Sequence, residues 1–80
     1  MTQKRADPRR LDTRGLKCPW PVLRAARAMR EADAVLLLAD DPVALTDVPA
    51  LAQAHGWAID VRETADHAEY HLRRQDDSGR

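Results

Sequence analysis

The sequence predicts one α+β domain, a two-layer sandwich in which two helices cover one face of a four-stranded mixed sheet. Three observations support this fold: the element order β-α-β-α-β-β, an apolar run of strand length, and two alternating segments near the end of the chain. Eighty residues are enough for one small domain. We place it at residues 10–74, with flexible tails at residues 1–9 and 75–80.

The first half of the chain contains a strand, a helix and a second strand. Residues 10–12, RLD, are assigned to an edge strand because a glycine-containing turn and a helix follow them. Residues 34–39, AVLLLA, form an apolar run whose length favours a strand buried on both faces. A right-handed crossover makes these two strands parallel. Between them, from Pro21 to Arg30, apolar residues recur at helical spacing: Val22, Ala25, Ala26 and Met29.

The second helix begins after a double aspartate. Asp41 followed by Pro42 is typical of a helix start, with the carboxylate as cap and proline at the first helical position. Because Pro49 would interrupt a helix interior, we predict a short first turn followed by a main helix that Asp47 caps. Gly56 is a C-terminal stop.

Two alternating segments predict a hairpin at the end of the domain. Residues 57–63 and 68–74 both alternate apolar with polar side chains, and a short turn separates them. Each strand should therefore bury one face. The buried positions are predicted to be Trp57, Ile59 and Val61 in the first strand, and Ala68, Tyr70 and Leu72 in the second.

Composition argues against several classes of function. Thirteen basic and 13 acidic residues balance to zero, whereas a nucleic-acid binder normally shows a basic excess. No apolar run approaches the roughly 20 residues of a membrane helix, and the first ten residues lack the apolar stretch of a secretory signal. With one cysteine and no signal, we expect a cytoplasmic protein without a disulfide.

We expect neither a cofactor nor a bound metal. His67 and His71 would lie on one face of a strand but roughly 13 Å apart, too far for a single zinc cluster. His55 at the end of a helix suits the helix dipole. The three histidines are interpreted as surface residues.

The one cysteine lies in the segment GLKCPWPV, residues 15–22. Pro19 favours an extended Cys18, and Pro21 suits the opening of a helix. Cys18 would then lie just before a helix N-terminus, whose partial positive charge and free N–H groups favour a thiolate. Lys17 and Arg14 add positive charge nearby. We therefore predict an exposed, anionic thiol, suited to a nucleophile or sulfur donor, although a buried structural cysteine is the alternative.

The segments LDTRGLKCPWPV and LLLADDP together resemble the TusA family of sulfur carriers, also called SirA-like. The match extends from about Leu11 to Arg74, and its ordered residues are Leu11, Asp12, Gly15, Cys18, Pro19, Pro21, Asp40, Asp41 and Pro42.

The resemblance implies that Cys18 carries sulfane sulfur as a persulfide, with Gly15, Pro19 and Pro21 as positioning residues. A cysteine desulfurase or rhodanese-like sulfurtransferase would load it. The acceptor would belong to tRNA thiolation, molybdenum-cofactor maturation or sulfur oxidation. Such a protein acts stoichiometrically rather than as a stand-alone catalyst.

Several residues near the cysteine are candidates for a partner surface: Lys17, Trp20, Arg24, Arg27 and Asp40. Trp20 departs from the family pattern, which often has an acidic or other polar residue there. The arginines, spaced three apart with Arg30, are more often a solvated helix face than a docking surface. Two alternatives stay open: a regulatory or protein-interaction module with a structural Cys18, and a thiol redox switch.

Overall fold

The computed structural model describes residues 8–75. Its elements are β1 (Arg9–Asp12), α1 (Trp20–Glu31), β2 (Ala34–Ala39), α2 (Ala44–His55), β3 (Ala58–Glu63) and β4 (Ala68–Arg73). The predicted order of elements is confirmed. The predicted tails fall largely outside the described residues, and Arg9, assigned to the first tail, begins β1. Neither helix in the described part combines the length and apolar character needed to cross a membrane.

The four strands form one mixed sheet in the order β1-β2-β4-β3. β1 runs parallel to β2, whereas β4 is antiparallel to both β2 and β3. Leu37 of β2 pairs with Leu11 on one side and with Tyr70 on the other. Because β1 and β2 are parallel, the segments that follow them leave the sheet at the same edge.

The core lies between the helices and one face of the sheet. Alternate residues of β2 and β4 are fully buried there, among them Val35, Leu37, Tyr70 and Leu72. The helices contribute small or flexible side chains that allow close packing: Ala25, Ala28, Met29, Ala44, Val48 and Ala52. Burying each large apolar side chain stabilises the fold by about 1.5–3 kcal/mol.

The start of α2 differs from the prediction. The predicted turn after Asp41 is present at residues 42–43. The helix then runs without a break from Ala44 to His55 and contains Pro49, so the predicted Asp47 cap and the predicted place of Pro42 at the first helical position are wrong. The carboxylate of Asp41 accepts a hydrogen bond of 3.0 Å from the N–H of Val43, which fixes the preceding turn and lets the helix begin early. Pro49 removes one intrahelical hydrogen bond, and the buried Val48 beside it holds the helix on the core.

β3 is an edge strand and is less buried than its alternation suggests. Val61 is 44% exposed, so the prediction that it belongs to the core is wrong. Helix α2 packs against both β3 and β4, but only the first two residues of β3, Ala58 and Ile59, are partly buried, and the strand is exposed from Asp60 to Glu63. The sheet face away from the helices carries exposed ion pairs, including Asp60 with Arg73 at 2.8 Å.

Candidate functional site

The loop between β1 and α1 is fastened to the end of β2. Thr13 is fully buried, and both its N–H and its hydroxyl donate to the carbonyl of Leu38, at 2.8 and 2.6 Å. Two residues on, the N–H of Gly15 donates to the carboxylate of Asp40 at 3.0 and 3.2 Å. Gly15 has φ +90°, a left-handed conformation that favours glycine. The loop is therefore held at two points before it reaches the cysteine.

Asp41 makes the third attachment, at the cysteine itself. Its Oδ2 accepts a hydrogen bond of 2.7 Å from the N–H of Cys18, while its Oδ1 accepts the bond from Val43. These two hydrogen bonds lower the pKa of the Asp41 carboxyl, and the bond from Cys18 has the larger effect. Asp41 therefore remains ionised at neutral pH and ties Cys18 to the start of α2.

The prolines place Cys18 directly before α1. The helix begins at Trp20, with Pro19 as its cap residue and Pro21 buried in its first turn. The carbonyl of Pro19 accepts the N–H of Leu23 at 3.0 Å. The peptide bond between Cys18 and Pro19 is cis. The prediction that the thiol precedes a helix N-terminus is confirmed.

The thiol is less exposed than predicted, and the prediction that it is anionic is wrong. Cys18 is half-buried and packs against the hydrophobic core. Burial raises the pKa of its thiol first, and the negative charges of Asp41 and Asp47 raise it further. Arg14 does not offset them, because its guanidinium binds Asp12 at 2.7 and 2.9 Å. Burial and the two carboxylates therefore favour the protonated thiol at neutral pH.

Exposed apolar side chains follow Cys18 in α1 and follow Asp41, whose carboxylate accepts the N–H of Cys18. Trp20 and Leu23 of α1 are 56% and 51% exposed, and Val43 before α2 is 50% exposed. We call these three residues the apolar rim. Large exposed apolar groups beside a reactive residue are typical of a contact surface for another protein.

The charged candidates occupy different positions. Lys17, Arg24 and Arg27 are exposed. Asp40 is exposed as well, but its carboxylate accepts the N–H of Gly15 and so holds the cysteine loop in place.

The histidines are more varied than predicted. The side chain of His67 is only 12% exposed and contacts the carboxylates of Asp66 and Glu69 at 2.7 and 3.3 Å, so it is less exposed than a free surface residue. Asp66 first, then Glu69, raises its pKa. His55 is exposed and stacks on Trp57 with ring centroids 4.5 Å apart. Across residues 8–75 no group of three His, Cys, Asp or Glu side chains is placed to hold a metal ion.

Two residues that hold the cysteine loop were missed at the sequence level. The role of Asp41 at Cys18 was overlooked because its position before a proline already explained it as a cap. Thr13 gave no signal beyond its place after a strand. Tyr70 was assigned to the core, which is correct, but its hydroxyl was not considered.

The structure defines a small two-layer α+β protein that holds its one cysteine just before a helix N-terminus. A family model described as Sulfurtransferase TusA matches residues 9–74. The chain belongs to this family, as the resemblance predicted.

Two similar proteins agree with this assignment. One, from Archaeoglobus fulgidus and named as a candidate sulfur carrier protein, is 43% identical over 54 residues, which span 64% of this chain and 70% of that protein. The other is the crystal structure of a SirA-like protein from Desulfitobacterium hafniense. It has a TM-score of 0.75 and 25% identity, covering 80% of this chain and 93% of that one. Together they support a sulfur-carrier, sulfurtransferase-type role.

Proposed function

We propose that this protein carries sulfane sulfur as a persulfide on Cys18, between a donor enzyme and an acceptor protein. The observation that carries the proposal is the position of the one cysteine of the chain: half-exposed, ahead of α1, with its N–H fixed at 2.7 Å by Asp41. A loop held in this way can present one sulfur atom in the same orientation to two different partners.

Loading is a thiol-exchange reaction that needs no external oxidant. The Cys18 thiol loses its proton, and the thiolate attacks the outer sulfur of a persulfide on the donor. A bond forms between Cys18 Sγ and that sulfur, and the S–S bond of the donor breaks. The electron pair leaves with the donor's cysteine as a thiolate. In unloading, Cys18 is the donor. A nucleophile of the acceptor attacks the outer sulfur on Cys18, and Cys18 leaves as a thiolate.

The raised pKa of the thiol adds a condition to this scheme. Since burial and the charges of Asp41 and Asp47 hold Cys18 protonated, the free carrier is a poor nucleophile. A donor that brings a base or positive charge to the two carboxylates would remove this barrier. Loading is then confined to the complex with the proper enzyme.

The apolar rim and the nearby cations supply a surface for such partners. Trp20 is the largest exposed aromatic of the site, and aromatic side chains are enriched among the residues that dominate protein interfaces. Lys17, Arg24 and Arg27 would steer partners with acidic surfaces. We propose a cysteine desulfurase or rhodanese-like sulfurtransferase as donor. The acceptor would be a protein of tRNA thiolation, molybdenum-cofactor maturation or sulfur oxidation.

The redox-switch alternative is less consistent with this site. Cysteines that sense oxidants are generally accessible and have a low pKa. Cys18 is half-buried, and neighbouring carboxylates raise its pKa.

Intact-mass spectrometry tests the proposal. The chain is incubated with a cysteine desulfurase and cysteine, and separately with a thiosulfate sulfurtransferase and thiosulfate. We expect the mass of one added sulfur, which a reductant removes and which Cys18→Ser abolishes. Glutathione or dimer adducts in place of sulfur would favour the redox switch. No added sulfur from any of several donors would reject the carrier function.

A further inference from the structure

Tyr70 has a buried hydroxyl that the fold does not use. The residue is fully buried in β4, and its hydroxyl is the one buried side-chain polar atom of residues 8–75 without a hydrogen-bond partner. A buried polar group without a partner destabilises a fold. Phenylalanine would fill the same space without that cost, so the hydroxyl calls for another explanation.

Tyr70 shares a cleft with Asp41, the residue that holds Cys18. Tyr70 and Asp41 both line a cleft of about 250 Å³ between the start of α2 and the β3–β4 turn. Asp41 in turn holds the N–H of Cys18. Cys18 itself packs against the buried cluster to which Tyr70 belongs.

The charges around Tyr70 agree with this placement. Its pKa is raised by burial first, and then by the charges of Glu63, Cys18 and Asp41. The phenol therefore keeps its proton at neutral pH, and it can act as a hydrogen-bond donor to an anion.

We propose that the hydroxyl of Tyr70 donates a hydrogen bond to the outer sulfur when Cys18 carries a persulfide. The inference rests on the proposed carrier function. In the unloaded chain the hydroxyl makes no hydrogen bond to Cys18 Sγ. A second sulfur, bonded at about 2.05 Å, extends the side chain toward partners that the thiol itself does not reach. No covalent bond to Tyr70 forms or breaks.

This hydrogen bond would stabilise a negative charge that the site otherwise disfavours. A persulfide is more acidic than the corresponding thiol and is carried as an anion, yet Asp41 and Asp47 act against negative charge at this site. A neutral O–H donor stabilises the anion without neutralising the carboxylates that keep the empty carrier unreactive. Tyr70 would thus distinguish the loaded state from the empty one.

The test compares wild type with Tyr70→Phe after both are loaded with inorganic polysulfide, which donates sulfane sulfur without any enzyme. The near-ultraviolet absorbance of the persulfide anion is followed as a function of pH. We expect the midpoint of this titration to rise by about one pH unit in Tyr70→Phe. Loading should also raise the melting temperature of wild type more than that of the variant. Asp47→Asn serves as control and should move the midpoint downward.

The outcomes separate this inference from the carrier function. Equal midpoints and equal thermal shifts in the loaded proteins would overturn the role of Tyr70, whatever the donor enzymes do. Polysulfide loading is done at alkaline pH, where the raised pKa of Cys18 no longer prevents the reaction. Uptake of sulfur by the denatured chain but not by the folded one would then also overturn the inference, because the fold would have no room for the outer sulfur. Failure of enzymatic loading alone rejects the proposed donors and leaves the titration result standing.

Discussion

The carboxylate of Asp41 lies 2.7 Å from the backbone nitrogen of Cys18, a residue 23 positions earlier in the chain. This one contact has two opposite effects on the sulfur. It fixes the main chain of Cys18, and it brings a negative charge that disfavours the thiolate. The site is therefore well ordered and weakly reactive at the same time.

Removing either carboxylate should make the thiol more acidic. Asp41→Asn and Asp47→Asn should both lower the pKa of Cys18, because each removes a charge that raises it. The pH dependence of alkylation by iodoacetamide measures this. Only Asp41→Asn should also cost stability, about 1 kcal/mol, since one amide oxygen replaces two acceptors. Unchanged alkylation profiles in both variants would show that these charges do not control the thiol.

Gly15→Ala should disturb the cysteine loop through the backbone alone. A Cβ at this position meets no atom within 4 Å, but φ +90° is unfavourable for alanine, and we expect a loss of about 1 kcal/mol. Gly56→Ala, at the end of α2 with φ +73°, is the matched control. Urea denaturation should show similar losses for both variants. If the loop positions the thiol, only Gly15→Ala will change the alkylation rate of Cys18.

Trp20→Ala should impair transfer without impairing the fold. Because Trp20 is 56% exposed, its loss should change stability by no more than about 0.5 kcal/mol. Single-turnover transfer from a persulfidated donor should slow roughly tenfold if the indole is an interface anchor. Val61→Ala, an exposed apolar truncation on the edge strand β3, should transfer at the wild-type rate. Equal slowing in both would point away from a local contact.

Charge reversal on α1 tests whether its arginines steer partners. The double variant Arg24→Glu with Arg27→Glu should lower the rate of sulfur acquisition from an acidic partner by roughly tenfold at low salt. The difference from wild type should shrink as salt is added. Arg30→Glu, on the last turn of the same helix, is the control and should have little effect on the rate. A phenotype that depends on these arginines but survives Cys18→Ser would favour the interaction-module alternative.

Stability should decline at alkaline pH because of Cys18. Its pKa is higher in the folded chain than in the unfolded chain, where a thiol titrates near ~8.5. The unfolded state therefore loses its proton first, so the free energy of unfolding falls as pH rises through this range. Urea unfolding at a series of pH values measures the slope. Cys18→Ser should remove that part of it, and an identical slope in the variant would contradict the raised pKa.

The sequence was sufficient for the architecture and for the position of Cys18 just before α1. Apolar spacing and short turns predict the strands and helices, because those patterns are local. The hydrogen bonds that attach the cysteine loop to the residues after β2 could not be predicted in the same way. Asp40 and Asp41 meet Gly15 and Cys18 only because β1 and β2 are parallel neighbours, so their contacts depend on tertiary structure.

The electrostatic prediction failed for the same reason. The residues around Cys18 predict a helix N-terminus and include Lys17, and both features favour an anionic thiol. The opposing carboxylates come from distant positions, and Asp47 was interpreted as a helix cap. Burial of the thiol also depends on the packing of both helices. The neighbouring residues in the sequence therefore predicted a lowered pKa for Cys18, whereas the fold raises it.

The attachment of Cys18 to Asp41 also has a consequence during synthesis. A ribosome completes the cysteine well before it adds the aspartate, so the nascent thiol has the acidity and accessibility of any unfolded cysteine. Once β1 pairs with β2 and the helices pack, the thiol becomes more shielded and its pKa rises. The thiol is therefore more open to electrophiles in nascent copies than in folded ones, and folding itself protects the sulfur atom.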